Sequence, residues 1–116
     1  MSLQIYTAQM NKEGEGEVYD ITVKGDLNIL APTWSMVMNY KRGEINERQY
    51  TKLYYQLIKQ KYKENKKEFH KLIKKNVITL KCYCKAGEFC HRLLAKDILL
   101  KIADNLGITV YYKGEI

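Results

Sequence analysis

The sequence predicts an α/β fold: a small, mainly parallel sheet with helices packed on it, Rossmann-like in either two or three layers. Three observations lead there. Residues 77–112 read as strand, loop, helix, strand, and such a unit joins parallel strands by a right-handed crossover. Residues 46–64 carry apolar side chains at helical spacing. A β-rich run near the N-terminus supplies a further strand. At 116 residues the chain has the length for one hydrophobic core and not for two, so residues 1–116 are expected to form a single domain.

The first strand is "LQIYTA", residues 3–8. A polar, glycine-bearing loop over 11–17 leads to a second strand, "VYDITV", over 18–23, rich in β-branched residues. Residues 24–33 hold no clear period. Pro32 and Thr33 mark a helix start, and "WSMVMNYKR" stops at Gly43. Asn46 followed by Gln49 spells a capping box, and Tyr50, Leu53, Tyr54, Leu57, Ile58 and Tyr62 behind it form one apolar stripe. Asn65 with Glu68 repeats the spelling and predicts a shorter helix with Phe69, Leu72 and Ile73 inward, closed by Asn76. "VITLKCYC", 77–84, is the clearest strand; period two puts Ile78, Leu80, Cys82 and Cys84 on one face. After a loop, an apolar helix runs from Cys90 until Gly107 ends it, and "ITVYY", 108–112, is the last strand.

Composition narrows the classes. No apolar run approaches the ~20 residues of a membrane span, and no basic-then-apolar leader opens the chain. Three cysteines within nine positions make a poor disulfide framework and suit a reducing cytoplasm. The formal charge is +7, and residues 52–75, with nine lysines against Glu64 and Glu68, account for all of it. That stretch is a solvated face or, as the functional alternative, a weak and salt-sensitive surface for nucleic acid or an acidic partner. No membrane partner is expected.

Chemistry concentrates at Cys90, His91 and Arg92, where a loop meets a helix. The unpaired N–H groups and dipole of a helix start favour an anion. Arg92, one of three arginines in a lysine-biased chain, offers a fork to phosphate or carboxylate. Gly87 lets the loop backbone approach a ligand. The same field lowers a thiol pKa, which makes Cys90 the first nucleophile candidate and His91 its nearby acid or base. Each has a structural alternative: a buried helix-start residue, a hydrogen-bonding histidine, and an arginine paired with a carboxylate such as Glu88. Cys84 sits where the strand ends and faces the same place. Tyr6, Thr7 and Gln9 reach the same edge if the first strand runs parallel to the strand over 77–83. Trp34, the sole tryptophan, stacks on a ring or anchors the core. Glu115 can fold back as the carboxylate partner of Arg92.

Cys82, Cys84, Cys90 and His91 are in kind a structural zinc set. Residues two apart on an extended strand, however, lie about 6.5–7 Å from each other, which argues against two sulfurs on one ion. No metal and no other cofactor are therefore expected, with a zinc-stapled structural domain as a minor alternative, and Cys82 reads as a core thiol. The spacing does not fit a phosphatase loop, and no Walker or dinucleotide glycine fingerprint is present.

These residues also resemble a family. A strand ending "TLKCYC", the loop "KAGEF" and "CHRLLA" opening a helix are similar to the domain-of-unknown-function family 488. "IYTAQ", "APTW", "YKRGEINERQYTKLYYQLI" and the terminal "YKGE" resemble a compact bacterial and phage branch of it. Cys90, His91 and Arg92 carry the most specific part, and the preceding motif cysteine maps to Cys82. At Cys84 the chain departs from an acidic residue expected in many members. The resemblance implies a small α/β domain with a polar pocket around the Cys-His-Arg turn, and no particular reaction. The leading expectation is a pocket for a small anionic ligand, a nucleotide or phosphorylated metabolite, held or acted upon there.

Overall fold

Among the described residues four strands, β1 (Ser2–Gln9), β2 (Glu17–Asp20), β3 (Val77–Cys82) and β4 (Thr109–Glu115), form one sheet in the order β2-β3-β1-β4. Every pairing is parallel. Helices α1 (Trp34–Lys41), α2 (Glu47–Glu64) and α3 (Lys66–Ile73) connect β2 to β3, after a 3-10 turn at Asn28–Leu30, and α4 (His91–Asn105) connects β3 to β4. The computed structural model describes residues 2–84 and 89–116.

Handedness explains the layering. The step from β1 to β2 crosses the sheet one way, and the steps from β2 to β3 and from β3 to β4 cross it the other way. Right-handed crossovers send opposite steps over opposite faces. Ile5 lies level with Ile78 and Thr7 with Leu80, so alternation puts Leu3, Ile5, Ile78 and Leu80 on one face. All four are buried in the core with Tyr54, Ile58, Phe69 and Leu99, which the helices supply. The loop between β1 and β2 crosses the other face. There the Glu15 N–H donates to Thr79 Oγ1 (2.8 Å) and the Thr79 hydroxyl donates to the Glu15 carbonyl (2.8 Å). The fold is a two-layer α/β structure with a loop strapped across its back.

Several boundaries differ from the sequence reading. The second strand stops at Asp20, because the Asp20 carboxylate accepts from both the N–H and the hydroxyl of Thr22 and turns the chain. The third strand ends at Cys82, which leaves Cys84 beyond the ladder. The Asn46–Gln49 capping box forms. The Asn65–Glu68 box does not, since the Asn65 amide donates back to the Lys61 carbonyl and closes α2 instead. Leu53 lies outside the buried stripe of Tyr50, Tyr54 and Ile58. Among the described residues, no helix is long and apolar enough to cross a membrane.

Candidate functional site

The carboxyl ends of β1 and β3 meet the start of α4, and a buried polar network fills the junction. Arg92, in the first turn of α4, is turned inward and is 1% exposed. Its Nε and Nη2 donate to the two carboxylate oxygens of Glu115 (3.1 and 2.8 Å), a bidentate pair. Its Nη1 donates to Cys82 Sγ and to the Cys84 carbonyl, each at 2.9 Å. The Thr7 hydroxyl donates to Glu115 Oε1 (2.6 Å). Its one hydrogen is then used, so the Tyr112 hydroxyl 2.6 Å away is the donor to Thr7. Burial works to raise the Glu115 pKa, but the hydrogen bonds from Arg92 and Thr7 and the Arg92 charge outweigh it and hold the carboxyl below its ordinary value. A register shift in the β1–β4 pairing, between Ile5 and Tyr6, lets Tyr112 and Glu115 both reach Thr7, although they stand three apart in sequence.

Beside this network lies a sulfur–imidazole cluster. The Sγ atoms of Cys82 and Cys90 meet in a disulfide from the end of β3 to the cap of α4, with Cα atoms 7.8 Å apart. Both residues are buried, as is His91. His91 Nε2 sits 2.7 Å from the Ile21 carbonyl oxygen. A carbonyl only accepts, so Nε2 carries the hydrogen and Nδ1 keeps a lone pair, 3.8 Å from Cys90 Sγ. Burial pushes the His91 pKa down to about 4, against a rise from the Ile21 hydrogen bond, so the ring is neutral at pH 7. Sγ of Cys82, Sγ of Cys90 and a ring nitrogen of His91 all lie within 4.8 Å of one another.

A cavity of about 330 Å³ opens on this cluster. Cys82, Cys84 and His91 form one wall; Trp34, Lys24, Lys41 and Asp20 lie around it. Trp34 is 59% exposed, which replaces the core-anchor alternative with a ring available to a ligand.

Residues 3–103 match the family described as the active DUF488-N3 subclade, DUF488-N3a. The chain belongs to the DUF488 family. No curated protein and no solved structure matches it closely enough to add a relative.

The structure of this DUF488 member brings together most of the residues that its sequence singles out. Cys90, His91, Arg92, Thr7 and Glu115 share the junction, and Glu115 does fold back on Arg92. Cys84 contributes its carbonyl to Arg92 and lines the cavity. Gln9 ends β1 level with Cys82. Tyr6 alternates with Thr7 and so projects to the loop-strapped face, away from the DUF488 junction. Gly87 and Glu88 lie outside the described residues. The pairing of Cys82 with Cys90 departs from the reading of three unpaired thiols, because β3 and α4 converge across the intervening loop. The Arg92 cation rests on Cys82 rather than on Cys90, and four of its five N–H donors already serve internal partners. Sequence reasoning missed Lys24, Lys41, Tyr112 and the Ile21 carbonyl. The lysines resemble many others in the chain, and a backbone acceptor has no sequence signature.

Proposed function

We propose that this DUF488 member binds a small anionic metabolite with a planar ring, of the nucleotide class, in the cavity beside Trp34 and presents it to the Cys82–His91 wall for chemistry. The observation that carries the reading is the cavity's lining: an exposed indole, two lysines against one carboxylate, Asp20, and a cysteine–imidazole wall around one space of about 330 Å³. An indole face suits a base, the ammonium groups of Lys24 and Lys41 suit phosphate, and the volume is at the small-metabolite end of ligand sites. The position outside strand carboxyl ends is where open parallel sheets hold ligands. The anion's counter-charge comes from the two lysines, since Arg92 is engaged with Glu115. The description of the matched subclade as active favours chemistry over mere storage.

Trp34 is the chain's one tryptophan, so its fluorescence reports on the cavity alone. Nucleoside 5′-monophosphates should quench it saturably, more weakly as salt rises. Trp34→Ala, followed by calorimetry, should lower affinity by roughly tenfold or more, the scale of one base stack. Lys24→Gln with Lys41→Gln should weaken binding and flatten its salt dependence. No saturable quenching by any of the monophosphates, or unchanged affinity in the double lysine variant, would refute the reading.

A further inference from the structure

We infer that Cys82, Cys90 and His91, in the dithiol state, form a zinc-type metal site whose fourth coordination position faces the cavity. The inference does not depend on what the cavity binds. Two thiolates and one imidazole are soft and borderline donors that suit Zn²⁺ over Mg²⁺ or Ca²⁺. They stand at the end of β3 and the start of α4, which are rigid elements, with ligand atoms within 4.8 Å of one another.

The geometry around the donors points the same way. His91 donates through Nε2 to the Ile21 carbonyl (2.7 Å), which fixes the ring and leaves the Nδ1 lone pair beside Cys90 Sγ. Histidines that ligate metals are oriented by such an outer hydrogen bond. The Cα atoms of Cys82 and Cys90 stand 7.8 Å apart. Disulfides usually span about 4.4–6.8 Å between Cα atoms. The backbone therefore suits two sulfurs that converge on a shared atom. At about 2.3 Å from a tetrahedral zinc, they would lie about 3.8 Å from each other. Arg92 Nη1 donates to Cys82 Sγ (2.9 Å), a contact that stabilises a thiolate, and Glu115 balances the Arg92 charge. Zinc with two thiolates adds no net charge to a buried region.

Three protein ligands leave one position for water or substrate, the pattern of catalytic rather than structural zinc. Cys82 and His91 also line the cavity, which sets the open side. The sequence-level objection to zinc rested on Cys82 and Cys84 together; the cluster keeps Cys82, Cys90 and His91 and leaves Cys84 out. The disulfide must first take up two electrons and two protons from a thiol reductant, and metal binding then releases one proton from each of the two thiols.

Anaerobic protein reduced with dithiothreitol, cleared of that reductant and titrated with Co²⁺ tests the site. One equivalent should bind, with thiolate-to-cobalt charge-transfer absorption and the intense visible bands of four-coordinate cobalt. Zn²⁺ should displace it, and azide should shift the visible bands through the open position. Cys90→Ser should abolish or sharply weaken the charge-transfer band, while Cys84→Ser should leave it unchanged. Circular dichroism checks that both variants fold. Absence of the charge-transfer band in reduced wild type, a band of undiminished intensity in Cys90→Ser, or one lost in Cys84→Ser would overturn the site. Visible bands unmoved by azide would overturn its open position.

Discussion

His91 carries a charge question that can be answered by titration. Its folded-state pKa, pushed to about 4 by burial, lies below the ordinary value of 6.5. Between those values the unfolded chain binds a proton that the native ring refuses, so stability falls as pH drops through the window. In metal-free protein the loss from pH 7 to pH 4 should approach about 3 kcal/mol, since each tenfold change in proton affinity is worth about 1.4 kcal/mol. Glu115 acts in a lower window: its carboxyl is held down in the native state, and that contribution is lost only as pH falls below the ordinary carboxylate range. Urea unfolding at a series of pH values should show the first decline in wild type and a flatter profile in His91→Gln. An equally steep profile in that variant would mean that the burial of His91 does not govern it. The sequence made the Cys-His-Arg triplet visible. It did not show that the Ile21 carbonyl sets the tautomer, nor that Arg92 rests on Cys82, because both depend on how β3 and α4 converge.

Two helices begin with the same spelling, and only one forms the box. Asn46 enters α2 from extended backbone (φ −95°, ψ 179°), so its Oδ1 can accept the Gln49 N–H (2.8 Å) while Gln49 Oε1 accepts the Asn46 N–H (2.8 Å). Asn65 leaves the last turn of α2 directly into α3, at φ −134°, ψ 38°, and its side chain has turned back to Lys61. Asn46→Ala should therefore cost about 1 kcal/mol, the usual worth of a cap, in chemical denaturation. Equal stability of this variant and wild type would show that the box contributes nothing. The strands and the α2 stripe were legible because a period of 2 or 3.6 is a local property. The end of β2 and the failure of the second box were not, because side chains there bond to whichever backbone group the chain path brings near. Trp34 was ambiguous for a related reason: an indole at a helix start fits core or cavity, and only the packing around α1 decides.

At the scale of the molecule, the site depends on the two faces of the sheet. β1 and β3 are neighbours whose onward connections pass over opposite faces, and the junction of Thr7, Cys82 and Arg92 occupies the gap that this divergence opens. The loop from β1 to β2 must lie flat for β2 to reach its place, and Ile21, just after β2, holds His91. Gly16 makes that possible. It takes φ +65°, and a Cβ there would overlap the Val77 carbonyl. Gly43 has a similar φ of +75° but open space around it. Gly43→Ala should thus cost about 1 kcal/mol, the left-handed backbone penalty alone. Gly16→Ala adds backbone overlap and should cost about 3 kcal/mol or more. It should also raise hydrogen exchange in β2, an edge strand paired on one side only. Through Ile21 it should loosen His91 and weaken cobalt uptake, whereas Gly43→Ala leaves uptake unchanged. Equal destabilisation by the two variants, with β2 exchange unaltered, would show that the strap is not what holds β2 and its carbonyl in register with the site.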